Sequence, residues 1–270
     1  MLPLAGAALP TDSTSLALAL ANGFRLHGLE PRQIRASGDA WPNVEQLTID
    51  LTGAEASRAL RPPEHPRPSG GEIAITSFEL RAEPIYLEKI PVRILAAFSS
   101  AQAAFSQAAN GALFLRLLQA ASGEVETSVT HAEMERGLLA LASEAAAKHG
   151  AEVKSTHLEL ETPTPRTLVF RAAVTAKVFI MKTTVRVRGR IDLDDALNAR
   201  LSGLAADGDG MLASIVQGSL RPHLARLESQ TFALGALVAG GLRVSDVSIS
   251  AGPVVRLHAT FAGTSGGATS

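Results

Sequence analysis

The chain has 270 residues, of which 46% are hydrophobic and 19% charged, so it can bury a sizeable core and is not typical of a disordered protein. A net charge of -1 and an aromatic share of 4% exclude the basic field and the stacking platforms by which proteins hold nucleic acids. The absence of cysteine excludes disulfides and thiolate sites.

Residues 1–10 are apolar but lack the basic segment that opens a secretory signal. We therefore expect a cytoplasmic protein if the N-terminus is complete and a cell-envelope protein if a leader was removed, and the compartment stays open. The longest apolar stretch, residues 232–242, has about half the length of a bilayer span, so we expect no transmembrane helix.

A short helix is predicted over residues 13–22, with Asp12 or Ser13 as its cap and Gly23 beyond its end. Two strands, 33–37 and 44–51, should follow, because apolar residues alternate in the second of them. The alternating residues are Leu47, Ile49 and Leu51.

Residues 61–71 carry four prolines and two glycines and predict an exposed loop. Further strands are predicted by the apolar residues Ile73, Ile75, Leu80, Ile85, Ile90, Val92 and Ile94. Over residues 95–121 the alanine content favours helix, whereas Asn110-Gly111 is a hairpin signal. We predict strands there.

Thr130 opens the clearest helix, because Thr130 and Glu133 have the spacing of a capping box and Gly150 can end the helix. Its apolar stripe comprises Met134, Leu138, Leu141, Ala142 and Ala145. A strand, a proline-bearing turn at 162–165 and another strand should follow. The same order was predicted for residues 13–51, so an internal duplication with units of about 12–122 and 123–262 is plausible.

Residues 166–204 alternate apolar and polar side chains over three successive segments, which predicts a long antiparallel sheet with one apolar face. The alternation changes parity beyond Lys182, so a turn or bulge is expected at 181–183. Many positions on the apolar face are Ala or Gly, which leaves volume for another occupant.

A second long helix is predicted from near Asp209, kinked or restarted at Pro222. The chain then closes with a hairpin of strands 242–249 and 254–261, and residues 263–270 form a disordered tail. The predicted fold class is α+β, with a long, highly curved antiparallel sheet wrapped around one or two long helices in a single domain, residues 1–262.

Motifs for catalysis are absent. The seven histidines have no close pair for zinc, serines lack a nucleophile elbow, and the glycine clusters lack the lysine of a phosphate loop. We expect no enzyme, no cofactor and no metal site.

Two groups of charged residues have a structural and a functional interpretation. The aspartates at 192, 194, 195, 207 and 209 match no calcium loop and more simply place charge at strand ends. Arg186, Arg188 and Arg190 form either a solvated sheet face or a surface for anionic lipid headgroups or a phosphate-bearing partner.

The order of these elements is similar to that of the tubular lipid-binding (TULIP) superfamily, which includes bactericidal permeability-increasing-like proteins and synaptotagmin-like mitochondrial lipid-binding domains. Residues 123–261 resemble a bacterial branch of phospholipid-binding proteins of otherwise unknown function. The resemblance rests on Gly-Glu-Val-Glu-Thr-Ser-Val-Thr before the Thr130 helix and on Gly-Gly-Leu-Arg-Val-Ser-Asp-Val at 240–247. It implies acyl chains held between a curved sheet and a long helix, and no catalytic residues.

We therefore predict non-catalytic binding or transport of a lipid or other long apolar molecule in a groove between sheet and helix. The expected lining is Phe98, Phe105, Leu168, Phe170, Val174, Val185, Val187, Ile191, Leu201, Ile215 and Val216. The alternative is an assembly module with a self-filled core that pairs with another chain through a sheet face or edge. The lipid-binding hypothesis is compatible with peripheral contact with a membrane, and the assembly hypothesis is compatible with a homodimer. Neither hypothesis includes a nucleic-acid partner.

Overall fold

The computed structural model describes residues 1–6, 8–56, 67–87, 90–147, 150–178, 181–195, 198–209, 228, 231–233, 242 and 244–262. The fold is α+β, as predicted, and its described strands form two open sheets. The chain divides into two compact units. Unit 1 comprises Met1–Ser128, Gly235–Asp246 and His258–Ser270, and unit 2 comprises Val129–Leu234 and Val247–Leu257.

Unit 1 begins with a strand, a helix and a series of strands that belong to a ten-stranded sheet. These elements are β1 (Leu2–Leu4), α1 (Ser13–Leu26), β2 (Gln33–Ser37), β3 (Asn43–Asp50), β4 (Glu55–Ala56), β5 (Arg67–Leu87), β6 (Ile90–Gln107) and β7 (Leu113–Gln119). Three strands have residues in both units: β8 (Ser122–Thr130), β14 (Val244–Ser250) and β15 (Val254–Ala262).

Helix α1 begins where the sequence predicts, because the Asp12 carboxylate accepts a hydrogen bond from the Ser15 backbone N–H at 2.7 Å. The predicted end at Gly23 is wrong, since the helix continues to Leu26. Gly23 lies inside the helix and against the backbone of Pro3 and Leu4 in β1, where a Cβ atom would clash. This glycine permits close packing of helix and strand and does not terminate the helix.

The ten-stranded sheet is mixed, not wholly antiparallel. Its main order is β14-β15-β8-β6-β5-β3-β2, with β7 beside β6 and β1. β3 and β4 pair in parallel with β5. The predicted apolar row of β3 is confirmed as core, with Leu47 and Ile49 fully buried.

Two predictions on β5 to β7 had different outcomes. Residues 95–121 are strands, as predicted, because β6 and β7 pair on either side of the Asn110-Gly111 turn. The predicted loop at 61–71 is wrong for its last five residues, since β5 begins at Arg67. The earlier residues of that loop lie outside the described ranges.

Unit 2 contains one described helix and a five-stranded antiparallel sheet of order β13-β12-β11-β10-β9. Its elements are α2 (His131–Ala147), β9 (Glu152–Thr164), β10 (Thr167–Val178), β11 (Met181–Leu193), β12 (Asn198–Asp209) and β13 (Thr231–Ala233). The predicted capping box of α2 is present, since the Glu133 N–H donates to Thr130 Oγ1 at 3.2 Å and the Thr130 N–H donates to the Glu133 carboxylate at 3.1 Å.

Unit 2 corrects two further boundaries. The turn or bulge expected near 181–183 does not occupy these residues, since Met181 already pairs with Val178 and begins β11. Asp209 ends β12 and does not begin a helix, and the rest of the predicted helix, with Pro222, lies outside the described residues. The closing hairpin has its predicted strands, β14 and β15, and the predicted tail at 263–270 also lies outside the described residues.

Each unit contains a helix followed by two antiparallel strands, α1-β2-β3 and α2-β9-β10. The next pairing differs, because β3 pairs in parallel with β5 whereas β10 pairs in antiparallel fashion with β11. The duplication stays a prediction that rests on the order of these elements.

Candidate functional site

The apolar residues of β10 and β11 lie side by side across the five-stranded sheet. The register pairs Leu168 with Ile191, Phe170 with Gly189, Ala172 with Val187, and Val174 with Val185. Paired residues of adjacent strands point to the same face. The predicted alternation therefore produces one continuous apolar face.

Neighbouring strands extend this apolar face. On β9, Leu158 and Leu160 pair with Ala172 and Phe170, and on β12, Leu201 pairs with Ile191. The contributions of β9 were missed in the sequence, although the alternation of Thr156, Leu158 and Leu160 is a period-two signal.

The apolar face is incompletely covered. Seven predicted lining residues lie on it, and each keeps part of its surface accessible to solvent. They are Leu168, Phe170, Val174, Val185, Val187, Ile191 and Leu201. In unit 1, by contrast, core residues such as Leu47, Ile49 and Ile73 are at most 1% exposed. Among the described residues, the apolar face of this sheet thus keeps side-chain area that is accessible to solvent.

The other predicted lining residues do not belong to this face. Phe98 and Phe105 are core residues of unit 1 and are 6% and 3% exposed. The ring of Phe98 contacts Phe78 in a tilted and Phe261 in an edge-to-face orientation, with ring centroids 5.8 Å and 5.3 Å away. Ile215 and Val216 lie outside the described residues.

Phe170 packs over a glycine of the adjacent strand. A Cβ atom on Gly189 would lie 2.7 Å from the Phe170 ring and 2.5 Å from the Leu204 side chain. The absence of a Cβ atom lets both side chains approach the backbone of β11 closely, as a glycine within a strand often permits. Leu204 is therefore a further member of the apolar face.

Helix α2 packs against β9 at the edge of this sheet. Glu135 joins the two elements: its carboxylate accepts hydrogen bonds from the Leu158 backbone N–H at 2.8 Å and, in the tautomer with a proton on Nδ1, from His157 at 3.1 Å. The Leu158 N–H, together with the charges of His131 and His157, lowers the pKa of Glu135. No local sequence pattern predicts this role of Glu135.

The predicted apolar stripe of α2 is also only partly covered. Met134, Leu138 and Ala142 are half-buried, and Leu141 is 47% exposed. The neighbouring Leu139 is 37% exposed. The helix thus adds accessible apolar surface beside the sheet.

The opposite face of the sheet carries the predicted arginine row. Arg186 pairs with Asp209 at 2.7 Å and Asp207 at 3.6 Å, and Arg190 pairs with Asp192 at 2.7 Å. These contacts support the structural interpretation for three of the five aspartates.

The remaining aspartates also have partners. Asp195 pairs with Arg166 at 2.7 Å, and Asp194 accepts hydrogen bonds from Asn198. Within the described ranges no group of three potential ligands could hold a metal ion.

No family profile matches the chain, and no curated protein or solved structure matches it. The resemblance to the tubular lipid-binding superfamily therefore stays an expectation. A separate finding is that no helix among the described residues has the length and hydropathy needed to cross a membrane.

Proposed function

We propose that the protein binds a lipid or another long apolar molecule, without catalysis, on the apolar face of its five-stranded sheet beside α2. The observation that carries the proposal is the incomplete cover of seven aligned apolar residues, from Leu168 on β10 to Leu201 on β12. Solvated apolar surface of this extent on a folded chain commonly marks a binding site.

The free energy of burying hydrocarbon favours a long apolar ligand. Each methylene group that leaves water for an apolar surface contributes about 0.8 kcal/mol. An acyl chain that crosses β9 to β12 would contact the Leu, Val and Ile side chains along its whole length. Its affinity would be the sum of many weak contacts, so no single lining residue would be indispensable.

Unit 1 offers a weaker candidate. The ring of Phe98 is enclosed by Phe78 and Phe261, and Phe105 is buried, so these two predicted lining residues already have protein partners. Phe98 and Phe105 are therefore less accessible to a ligand than the residues of the apolar face in unit 2. Our proposal rests on the face in unit 2.

The curvature of the five-stranded sheet around its ligand is part of the same proposal. In the tubular lipid-binding superfamily, which the chain resembles, a strongly curved sheet wraps around a long helix and the acyl chain. Small residues such as Ala172, Gly189 and Ala206 on β10 to β12 support this arrangement, because a face with small side chains leaves room for a ligand. We propose that the five-stranded sheet curves around its ligand in this way.

Two substitutions on the same strand test the proposal. Val174 lies on the apolar face and pairs with Val185, whereas Val169 lies on the opposite face and pairs with Arg190. Both valines are half-buried. Val174→Thr places a hydroxyl of nearly equal size against the hydrocarbon, and Val169→Thr is the matched control.

We expect Val174→Thr to weaken the binding of a fluorescent phospholipid analogue by about fivefold or more, because hydrocarbon that covers the hydroxyl removes its hydrogen bonds to water, which costs roughly 1–3 kcal/mol. Val169→Thr should leave binding unchanged. Equal effects of the two variants, or no binding by the wild type, would contradict the proposal.

The assembly alternative predicts a different result in the same samples. If the apolar face of unit 2 pairs two chains, the wild type should be a homodimer that takes up no probe. Val174→Thr should then raise the dimer dissociation constant, which sedimentation measures. The two hypotheses are therefore distinguishable with one pair of variants.

A further inference from the structure

The polar face of the five-stranded sheet places two arginines directly opposite each other. Arg171 on β10 pairs in register with Arg188 on β11, and on its other side Arg188 pairs with Ala205 of β12. Like charges in directly opposed positions destabilise a sheet. A negative charge beside Arg171 and Arg188 would therefore stabilise the sheet.

Four arginines lie on the polar face of β10 and β11, and carboxylates among the described residues neutralise the positive charge of each of them except Arg188. The four are Arg171, Arg186, Arg188 and Arg190. Arg171 contacts Glu161 at 3.0 Å and Glu159 at 3.4 Å. Arg186 and Arg190 have their aspartates, as described above. Among the residues that the structure describes, no carboxylate is paired with Arg188.

The hydrogen bonds to these carboxylates stabilise the charged form of the paired arginines. The contact with Glu161 raises the pKa of Arg171, and the contact with Asp209 raises the pKa of Arg186. Arginine side chains are charged at every physiological pH, so both guanidinium groups are positive beside Arg188.

A depression of about 350 Å³ lies at this position on the polar face. Three guanidinium groups and two carboxylates line it, and Arg188 is the guanidinium group among them that no described carboxylate contacts. The small side chain of Ala173 also lines the depression, and it leaves room between the charged groups. The depression is large enough for a phosphate group.

We propose that this depression binds a phosphate monoanion between Arg171 and Arg188. A guanidinium group presents paired N–H donors that match two phosphate oxygens, and two such groups on adjacent strands can hold one phosphate from both sides. The bound anion supplies the negative charge that Arg188 lacks. The phosphate comes either from a soluble phosphate ester or from a lipid headgroup at a membrane surface.

This site is independent of the proposed function. It lies on the face of the sheet opposite to Phe170 and Val174, so a lipid whose acyl chain covers the apolar face cannot place its own headgroup there. Loss of one activity therefore leaves the other measurable.

The test uses the full chain and three variants. Arg188→Gln removes the unpaired charge, Arg188→Lys keeps the charge but loses the paired donors, and Arg190→Gln is the control on the same strand and face. Circular dichroism and thermal unfolding check that each variant folds. Calorimetric titration with inorganic phosphate, at an ionic strength held constant with sodium chloride, measures the soluble source.

A second arm measures co-sedimentation with vesicles of phosphatidylcholine, with and without phosphatidylglycerol. For whichever source binds, Arg188→Gln should weaken binding by about tenfold or more, since one charge-assisted contact is lost. Arg188→Lys should weaken it less, and Arg190→Gln should leave it within about twofold of the wild type.

Each outcome decides the proposal. Saturable phosphate binding that depends on Arg188 supports a soluble ligand, and Arg188-dependent binding to phosphatidylglycerol vesicles alone supports a headgroup. Without ligand, Arg188→Gln should melt slightly above the wild type, because it relieves the repulsion with Arg171. No binding in either arm, or equal losses in Arg188→Gln and Arg190→Gln, would overturn the proposal.

Discussion

The ring of Phe170 on β10 lies over Gly189, its paired residue on β11. Phe98 on β6 likewise lies over its paired residue, Gly123 of β8. The two pairs differ in their surroundings. Phe98 is enclosed by two other rings and is 6% exposed, whereas Phe170 is half-buried on the apolar face.

This difference predicts unequal costs for the same substitution. Gly123→Ala should destabilise the protein by roughly 2 kcal/mol, because the Phe98 ring has no room to move away from the new methyl group. Gly189→Ala should cost about 1 kcal/mol or less, since Phe170 and Leu204 can turn toward the uncovered side. Denaturant unfolding of both variants measures the difference, and a larger cost for Gly189→Ala would show that the apolar face is tightly packed.

Glu135 should contribute to stability by attaching α2 to the edge of the sheet. Glu135→Ala removes the acceptor of the Leu158 N–H and should cost roughly 2 kcal/mol in the free energy of unfolding. Glu135→Gln keeps an acceptor oxygen without the charge and should cost about half as much. Equal costs for the two variants in urea unfolding would mean that only the charge of Glu135 is important.

The lowered pKa of Glu135 predicts how its contribution depends on pH. A carboxyl group whose pKa is lower in the folded state stabilises the fold above its ordinary value of 4.5 and loses this effect as the pH falls through its folded value. The difference in unfolding free energy between wild type and Glu135→Gln should therefore be fully developed at about pH 5. It should shrink below pH 4.5. A difference that grows on acidification would contradict the assigned hydrogen bond.

Local sequence patterns predicted those parts of the fold that depend on neighbouring residues. The start of α1 at Asp12, the capping box at Thr130 and the apolar row of β10 are examples, since each depends on side chains a few residues apart. Strands over 95–121 were also correct, because the Asn110-Gly111 turn outweighed the alanine content of this segment.

Contacts between distant residues could not be predicted in the same way. Glycine is the residue type that most often ends a helix, but α1 continues past Gly23 because β1 packs against the helix at this glycine. The parallel pairing of β3 with β5 has no local signal. Phe98 and Phe105 have the alternation of lining residues, yet only the assembled sheet shows that unit 1 encloses them.

The ion-pair partners of the arginines on β11 also could not be predicted from the sequence. In the sequence, Arg186, Arg188 and Arg190 occupy equivalent alternate positions of one strand. Only the register with β10 and β12 distinguishes them, because it provides Asp207 and Asp209 for Arg186 and places Arg171 opposite Arg188. Strand register is a property of the tertiary structure, and one-residue shifts would change all of these partners.

Native mass spectrometry of the gently purified protein most directly tests whether the apolar face of unit 2 holds a hydrocarbon ligand. We predict that the wild type and Val169→Thr carry a non-covalent mass, released on denaturation and matching a lipid, and that Val174→Thr carries less of it. Repeated preparations in which all three folded proteins show only the mass of the bare chain would contradict the account.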